Sequence, residues 1–384
     1  MKIVADENIP QVERFFSAVG QVTTVNGRAL SADQLVDADI LLVRSVTRVD
    51  RQLLAGSRVK FVASATIGID HLDTAYLNSA GIGYCNAPGC NADSVVDYVV
   101  SVLCTIEGAL KTLLAGAQVG IIGFGNVGSR LYQRMQRLGV SCVVYDPLLA
   151  SERCADFGSL EQVLAADIIC CHAPLTTVGE HPSYHLLNAE RLATLKQGAI
   201  LISAGRGAVI DNAALLKVLK QRADLRVALD VWENEPVIDQ ALMAVVDLAT
   251  PHIAGYSFDG KIAGTEMILS SCLEFLGLSA VGLSAVGMSA ESEPVKVLAI
   301  DPLLALEDAI KQAVLSCYAV AEDDALLRKR LLAADDNMAA TEFDQLRKQY
   351  PIRRELACYK IANAPELAPQ LQGYLQAFGF EISA

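Results

Sequence analysis

No run of about 20 uncharged apolar residues occurs anywhere in this 384-residue chain, so no membrane-spanning helix is expected. The opening, MKIVADENIP, has the pattern of a strand followed by polar residues and lacks the basic stretch and cleavage site of a secretory leader. Positive charge is scarce as well. A net charge of −13 and a pI near 4.9 argue against general nucleic-acid binding, and any anion site has to be locally basic against that background. No CxxC pair occurs among the ten cysteines, most of which sit in apolar runs such as DIICCHAP. Free, buried thiols in the reducing cytoplasm are therefore expected rather than disulfides or zinc. Histidines number five, at 71, 172, 181, 185 and 252. His181 and His185 have helical spacing, but Pro182 lies between them in a polar loop, so no metal site is expected there.

What is present is ample apolar material, 52% hydrophobic residues, in a chain long enough for two or three domains. The first ninety residues alternate apolar strands (KIVADE, ADILLVRSV, VKFVASAT, GIGYCNAP) with helical stretches, the rhythm of a parallel α/β sheet. NADSVVDYVVSVLCTIEGAL reads as a long, largely buried helix. A second α/β series follows: AQVGIIGFG, SCVVYD, ADIICCHAP, GAILISAG, LRVALDVW and VDLATPHIAG. Its order suits a doubly wound nucleotide-binding domain. Residues 278–290, LSAVGLSAVGMSA, read as a hinge or linker, and about a hundred further residues form a separate α/β segment without a catalytic cluster, best suited to assembly.

The motif GIIGFGNVGSRL places Gly123, Gly125 and Gly128 between a strand and a helix. The first glycine permits a tight turn, the second lets a pyrophosphate approach, and the third allows helix–sheet packing. Asp146 follows Gly128 by eighteen residues at the end of the next strand, where a carboxylate accepts hydrogen bonds from an adenosine ribose. Residues 147–152 offer no Lys or Arg for a 2′-phosphate, so NAD is favoured over NADP. Hydride transfer from a hydroxyl carbon leaves a proton that needs a base, most often histidine. His71 reads as a turn residue capping a helix, His172 ends an apolar strand, and His181 and His185 fall in a loop. His252, in ATPHIAGY, follows a strand and a proline at the sheet edge where active sites form. LDVWENEP supplies acidic partners, Asp230, Glu233 and Glu235, of which Glu233 reads as a solvated loop residue. In ISAGRGAVID, Arg206 stands between two glycines, which suggests close approach of a ligand beside a cationic fork.

The order GFGNVG, AGRGAVID, LDVWENEP, TPHIAGY resembles the NAD-dependent D-isomer 2-hydroxyacid dehydrogenases over roughly residues 1–280. The resemblance implies a Rossmann-type NAD domain (93–253), a discontinuous flavodoxin-like substrate or lid domain (1–92 with 254–280), and a small C-terminal α/β dimerisation domain (281–384). It implies catalytic roles for Arg206, Glu235 and His252. The runs LLVRSVTRVD, SATIGIDHLD, NAPGCNADSVVDYV, PHIAGYSFDGK and FDQLRKQYPIRRE narrow it to a branch acting on a phosphorylated four-carbon 2-hydroxy acid in vitamin B6 synthesis. By that likeness Ser45, Thr66 and Tyr256 contact substrate. Gly123, Gly125, Asn126, Val127, Gly128, Asp146, Asp230 and Gly255 contact NAD, and Ala173, where the family often has Thr, does so through its backbone only. The expected reaction is oxidation of 4-phospho-D-erythronate to 2-oxo-3-hydroxy-4-phosphobutanoate by a cytoplasmic homodimer, with no metal, nucleic-acid or membrane partner. A D-3-phosphoglycerate dehydrogenase-like enzyme and an NAD-sensing corepressor-like protein are the alternatives. Arg44, Arg48, Lys261 and Arg353–Arg354 are the candidate phosphate cations, Arg44 being favoured by its closeness to Ser45.

Overall fold

A computed structural model describes residues 1–149, 154–278, 295–333 and 336–382. The repetitive run expected to be a linker lies, after its first residue, outside the described residues, as does the expected boundary at 280/281. By contacts the chain divides into two compact units, Met1–Asn91 with Ser257–Pro294, and Ala92–Tyr256 with Val295–Ala384.

The first unit holds a parallel sheet of β1 (Lys2–Asp6), β2 (Gln21–Val25), β3 (Ile40–Val43), β4 (Phe61–Ser64) and β5 (Gly83–Cys85). Its order, β2-β1-β3-β4-β5, is that of flavodoxin-like folds. The central strands ILLV and FVAS are buried throughout, as parallel strands covered on both faces must be. The edge strand β2, QVTTV, is largely exposed, so it carries no run of apolar residues and was not among the expected strands. The chain returns to this sheet with helix Phe258–Phe275, whose Phe275 stacks on Phe61 at 4.6 Å between ring centroids.

The second unit is built on β6 (Val119–Ile122), β7 (Cys142–Tyr145), β8 (Ile168–Cys171), β9 (Ile200–Ser203), β10 (Arg226–Leu229) and β11 (Leu248–Ala249), all parallel, in the order β11-β10-β9-β8-β6-β7. A lone bridge between Val144 and Phe157 stands outside β7, where a further strand of a Rossmann sheet would lie. The strand order reverses between β6 and β8, and ligands of such sheets bind at the carboxyl ends beside that switch point.

The C-terminal segment contributes its own parallel sheet, β12 (Lys296–Leu298), β13 (Tyr359–Ile361) and β14 (Glu381–Ile382), with helices Leu306–Cys317, Val320–Leu331, Asp336–Lys348 and Pro369–Phe378. Helix Ala92–Thr105 joins this tail to the nucleotide-binding sheet. It is apolar all round, and twelve of its fourteen residues are buried. Its few polar groups are all committed to neighbours. Ser101 Oγ donates to the Tyr318 carbonyl (2.7 Å) and accepts from Val320 N–H (3.2 Å). Asp97 pairs with Arg134 and accepts the Leu356 amide at 2.8 Å. Burial pushes the Asp97 carboxyl up against the pull of Arg134. All ten cysteines are free thiols, and burial lifts Cys85 and Cys171 to about 11, which keeps them protonated.

Asp97→Ala leaves buried Arg134 with only Asp93, 3.8 Å away, and the Leu356 amide without an acceptor. Urea unfolding is expected to show a loss of about 3 kcal/mol. A loss below roughly 1 kcal/mol would mean that Asp97 does not fasten the tail.

Candidate active site

Three neighbouring strands, β9, β10 and β11, release their loops at the same end of the sheet. The β9 loop carries Arg206, the β10 loop Glu235, and the β11 loop His252. The loops are locked to one another by backbone. A Cβ on Gly207 would stand 1.9 Å from the Trp232 carbonyl oxygen, and one on Gly205 would stand 2.8 Å from the Ala173 oxygen. The glycines flanking Arg206 are therefore required by the protein's own chain, a reason the sequence alone does not show. Trp232 in turn donates its indole N–H to the Thr250 carbonyl at 3.0 Å, tying the second loop to the third.

Within this frame, Glu235 Oε1 accepts the Trp232 amide (2.8 Å) and Oε2 bonds His252 Nδ1 (2.7 Å). His252 itself has φ +57°, a left-handed conformation that is uncommon for a side-chain-bearing residue and needs support from its surroundings. The support comes from Asp230, only 1% exposed. Its carboxylate accepts Thr250 Oγ1 (2.7 Å), Ile253 N (2.8 Å) and Ala254 N (3.0 Å), while its carbonyl accepts His252 N (2.8 Å). The Tyr98 hydroxyl lies 3.1 Å from that of Thr250. The tail braces both ends of the same loop. Asp324 accepts the Ala249 amide at 2.7 Å, and Arg353, its guanidinium 4.1 Å from the Tyr318 ring centroid, donates to the Ala254 carbonyl.

The five histidines separate clearly in this structure. His172 is held down to about 4 by burial and is neutral at pH 7. His71 is lowered by burial and bonds Ser64 Oγ at 2.9 Å, and Asp73, not His71, caps the following helix. His181 is exposed. His185 bonds Glu233 at 2.7 Å through Nε2 and faces Asp211 at 3.7 Å through Nδ1, so carboxylates occupy both its ring nitrogens. Glu233 also accepts the Asn212 amide (3.0 Å). It is a clamp between loops and not the solvated residue expected. His252 alone combines a carboxylate on Nδ1 with an Nε2 left for another partner, at 31% side-chain exposure. At Glu235 burial favours the neutral acid, but the hydrogen bond and charge of His252, the Trp232 amide and the charge of Arg347 outweigh it and hold the carboxyl below its usual 4.5.

The fit of a dinucleotide is visible in the glycines. Gly123, at φ +90°, turns against Ala173, and a Cβ on Gly128 would meet the Gly123 oxygen at 1.9 Å, so the third glycine closes the helix onto the turn. Gly125 has open space about its Cβ position, and Asn126 and Val127 begin helix Asn126–Arg137, whose first amides can face phosphate. Asp146 accepts the Phe124 amide (2.8 Å) and the Leu148 amide (3.1 Å). It lines a cavity of about 350 Å³ together with Gly123, Ala173, Pro174, Tyr184 and Arg191. Gly255 lies in the turn closed by Tyr256 N–H on the Ile253 carbonyl (2.8 Å). In the first unit, Ser45 and Thr66 follow the adjacent strands β3 and β4, and Thr66 Oγ1 is 2.7 Å from Ser64 Oγ. Tyr256 sets its ring edge-on to Tyr350, centroids 5.8 Å apart.

Residues 105–254 match the family described as D-isomer specific 2-hydroxyacid dehydrogenase, NAD binding domain, and residues 291–379 match one described only as a domain of unknown function. The chain is 45% identical over 389 residues to the erythronate-4-phosphate dehydrogenase of Chromohalobacter salexigens, covering 100% of this chain and 99% of that one. It is 46% identical over 384 residues to the protein of the same name from Cellvibrio japonicus, covering 99% of each. The chain belongs to the family of the erythronate-4-phosphate dehydrogenases. The fold agrees: D-lactate dehydrogenase from Aquifex aeolicus, solved with NAD and lactic acid, aligns at TM-score 0.58 and 23% identity over 72% of this chain and 96% of that one. The chain is an NAD-dependent oxidoreductase acting on a CH–OH group. Among the described residues no helix is long and apolar enough to cross a membrane.

Two outcomes are expected. Gly207→Ala forces a Cβ into the Trp232 backbone, and turnover is expected to fall at least 100-fold, the cost of misplacing Arg206 and Glu235 by about 1 Å, with NAD binding largely kept. Fluorescence titration of NADH beside a rate assay checks this. The stability supplied by Glu235 should be fully present above pH 4.5, its usual value, and lost as pH falls through its depressed one. Unfolding of wild type and Glu235→Gln compared from pH 7 to 3 should therefore converge at the acid end.

Proposed function

We propose that this chain oxidises 4-phospho-D-erythronate at C2 to 2-oxo-3-hydroxy-4-phosphobutanoate, a step of pyridoxal 5′-phosphate biosynthesis. The observation that carries the reading is the His252–Glu235 pair on the loops beside Arg206, in a chain that matches enzymes of that name over their full length. His252 Nε2 takes the proton of the C2 hydroxyl as the C2–H bond breaks. Glu235, bonded to Nδ1, stabilises the imidazolium and fixes which nitrogen is free. Bound NAD supplies the hydride acceptor. Arg206 presents a planar fork to the C1 carboxylate and to the C2 oxygen as it becomes a carbonyl, so its contribution is positioning and charge. Ser45, Thr66 and Tyr256 contact the substrate. Gly123, Gly125, Asn126, Val127, Gly128, Asp146 and Gly255, with the Ala173 backbone, hold NAD, while Asp230 is spent chiefly on the His252 loop.

The protein is proposed to be a cytoplasmic homodimer built through its tail. Among the described residues the tail exposes Val297 (64%), Leu303 (90%) and Ile352 (77%), and β12 is an edge strand with little cover.

His252→Ala is expected to lower kcat by roughly 1,000-fold without loss of NAD binding. Near-normal turnover would remove His252 from the role. Phosphorylated three- and four-carbon 2-hydroxy acids offered side by side, with nicotinamide absorbance followed, should show preference for 4-phospho-D-erythronate over D-3-phosphoglycerate. Sedimentation at micromolar concentration should give a dimer, and a monomer would contradict the assembly proposed for the tail.

A further inference from the structure

Arg347, near the end of the tail helix Asp336–Lys348, is a cation with an unused donor. Its guanidinium lies over the Tyr256 ring, 5.9 Å from the centroid. Its Nε is buried and has no hydrogen-bond partner. Arg328 pairs with Asp324 (2.8 Å) and donates to the Val246 carbonyl, and Arg330 pairs with Glu342 (2.8 Å). Arg353 and Arg354 each keep one buried nitrogen that makes no hydrogen bond, but Arg353 already donates to the Ala254 carbonyl. Burial opposes the charge of Arg347, but Tyr256, through charge and a hydrogen bond, Glu235 and Asp344 outweigh that and hold it above its ordinary value, which places it within electrostatic reach of the His252 partner. A buried donor without an acceptor costs on the order of 1–3 kcal/mol, and in a chain of net charge −13 such a cation calls for an anion.

We propose that Arg347 binds the phosphate group of the substrate, so that the tail completes the active site of its own chain. The proposal rests on the substrate reading above. That substrate carries an anion at each end, and a single fork cannot serve both. Arg206 stands beside the reacting end, while Arg347 stands beside Tyr256 with a free N–H. A phosphate offers the several acceptors that a guanidinium can engage in parallel. Rival cations fit less well. Arg48 is 84% exposed and bound to Asp50 at 3.2 Å, and Arg353, though it too keeps one unpartnered nitrogen, is held beneath Tyr318 and on the Ala254 carbonyl. The match of residues 291–379 to a domain of unknown function thereby gains a chemical role, since helix Asp336–Lys348 falls inside it.

The test compares wild type with Arg347→Gln and Arg347→Lys on 4-phospho-D-erythronate and on D-erythronate. Arg347→Gln should lower kcat/KM for the phosphorylated substrate by roughly 10- to 100-fold, chiefly through KM, and lower that for D-erythronate far less. Arg347→Lys should fall between, keeping charge but losing the fork. Equal losses on the two substrates would overturn the proposal, because they would show Arg347 serving only the Glu235–His252 pair. A second arm needs no substrate. Inorganic phosphate titrated calorimetrically into the NAD-loaded protein should bind wild type at least about 10-fold more tightly than Arg347→Gln, and equal binding would overturn the proposal. Wild-type protein that binds phosphate through Arg347 yet ignores 4-phospho-D-erythronate would remove the substrate reading instead.

Discussion

The hydrogen bond between Glu235 and His252 is the constraint on which the rest of the site depends. An imidazole in water titrates, rotates and exchanges tautomers, and none of those states is reliably a base facing a substrate. A carboxylate 2.7 Å from Nδ1 settles the last two, because it holds the ring, fixes the proton on that side and leaves Nε2 as the acceptor. The carboxylate does this only while it is ionised. Although burial works against its charge, His252, the Trp232 amide and Arg347 reverse the balance.

The surrounding fold is organised to keep that one bond in register. The β9, β10 and β11 loops would drift independently if they were joined only through their strands. They are held by backbone contacts too close for any side chain, Gly207 on Trp232 and Gly205 on Ala173. The His252 loop runs through a left-handed residue, and Asp230 spends both carboxylate oxygens on it. The tail adds Asp324 and Arg353 at the two ends of the same loop. The tail, which lies in the same compact unit, therefore reaches the His252 loop through hydrogen bonds.

Much of this was legible in the sequence, and what was not shares a physical cause. Buried parallel strands announce themselves as runs such as ILLV and IICC, and the glycine turn with Asp146 gives the cofactor. Arg206 and His252 were singled out because they lie in short motifs at strand ends, and Glu235 through the family resemblance. The edge strand β2 was missed because, half in water, it has no reason to be apolar. Glu233 was read as solvated because its partner, His185, lies 48 residues away, and the roles of Tyr98, Thr250, Asp324 and Arg347 likewise exist only after folding. The glycines beside Arg206 were noticed correctly as a sign of close approach, but a sequence cannot tell approach by a ligand from approach by the chain's own backbone.

The central claim is that Glu235 keeps the His252 proton on Nδ1 and leaves Nε2 to face the substrate. Nitrogen-15 NMR of histidine-labelled protein reads that directly. For the neutral ring the account requires a His252 signal pair with Nδ1 protonated and Nε2 bare, and a mixture of tautomers once Glu235 is replaced by Gln. A His252 that carries its proton on Nε2 in the wild-type protein would contradict the account at its foundation.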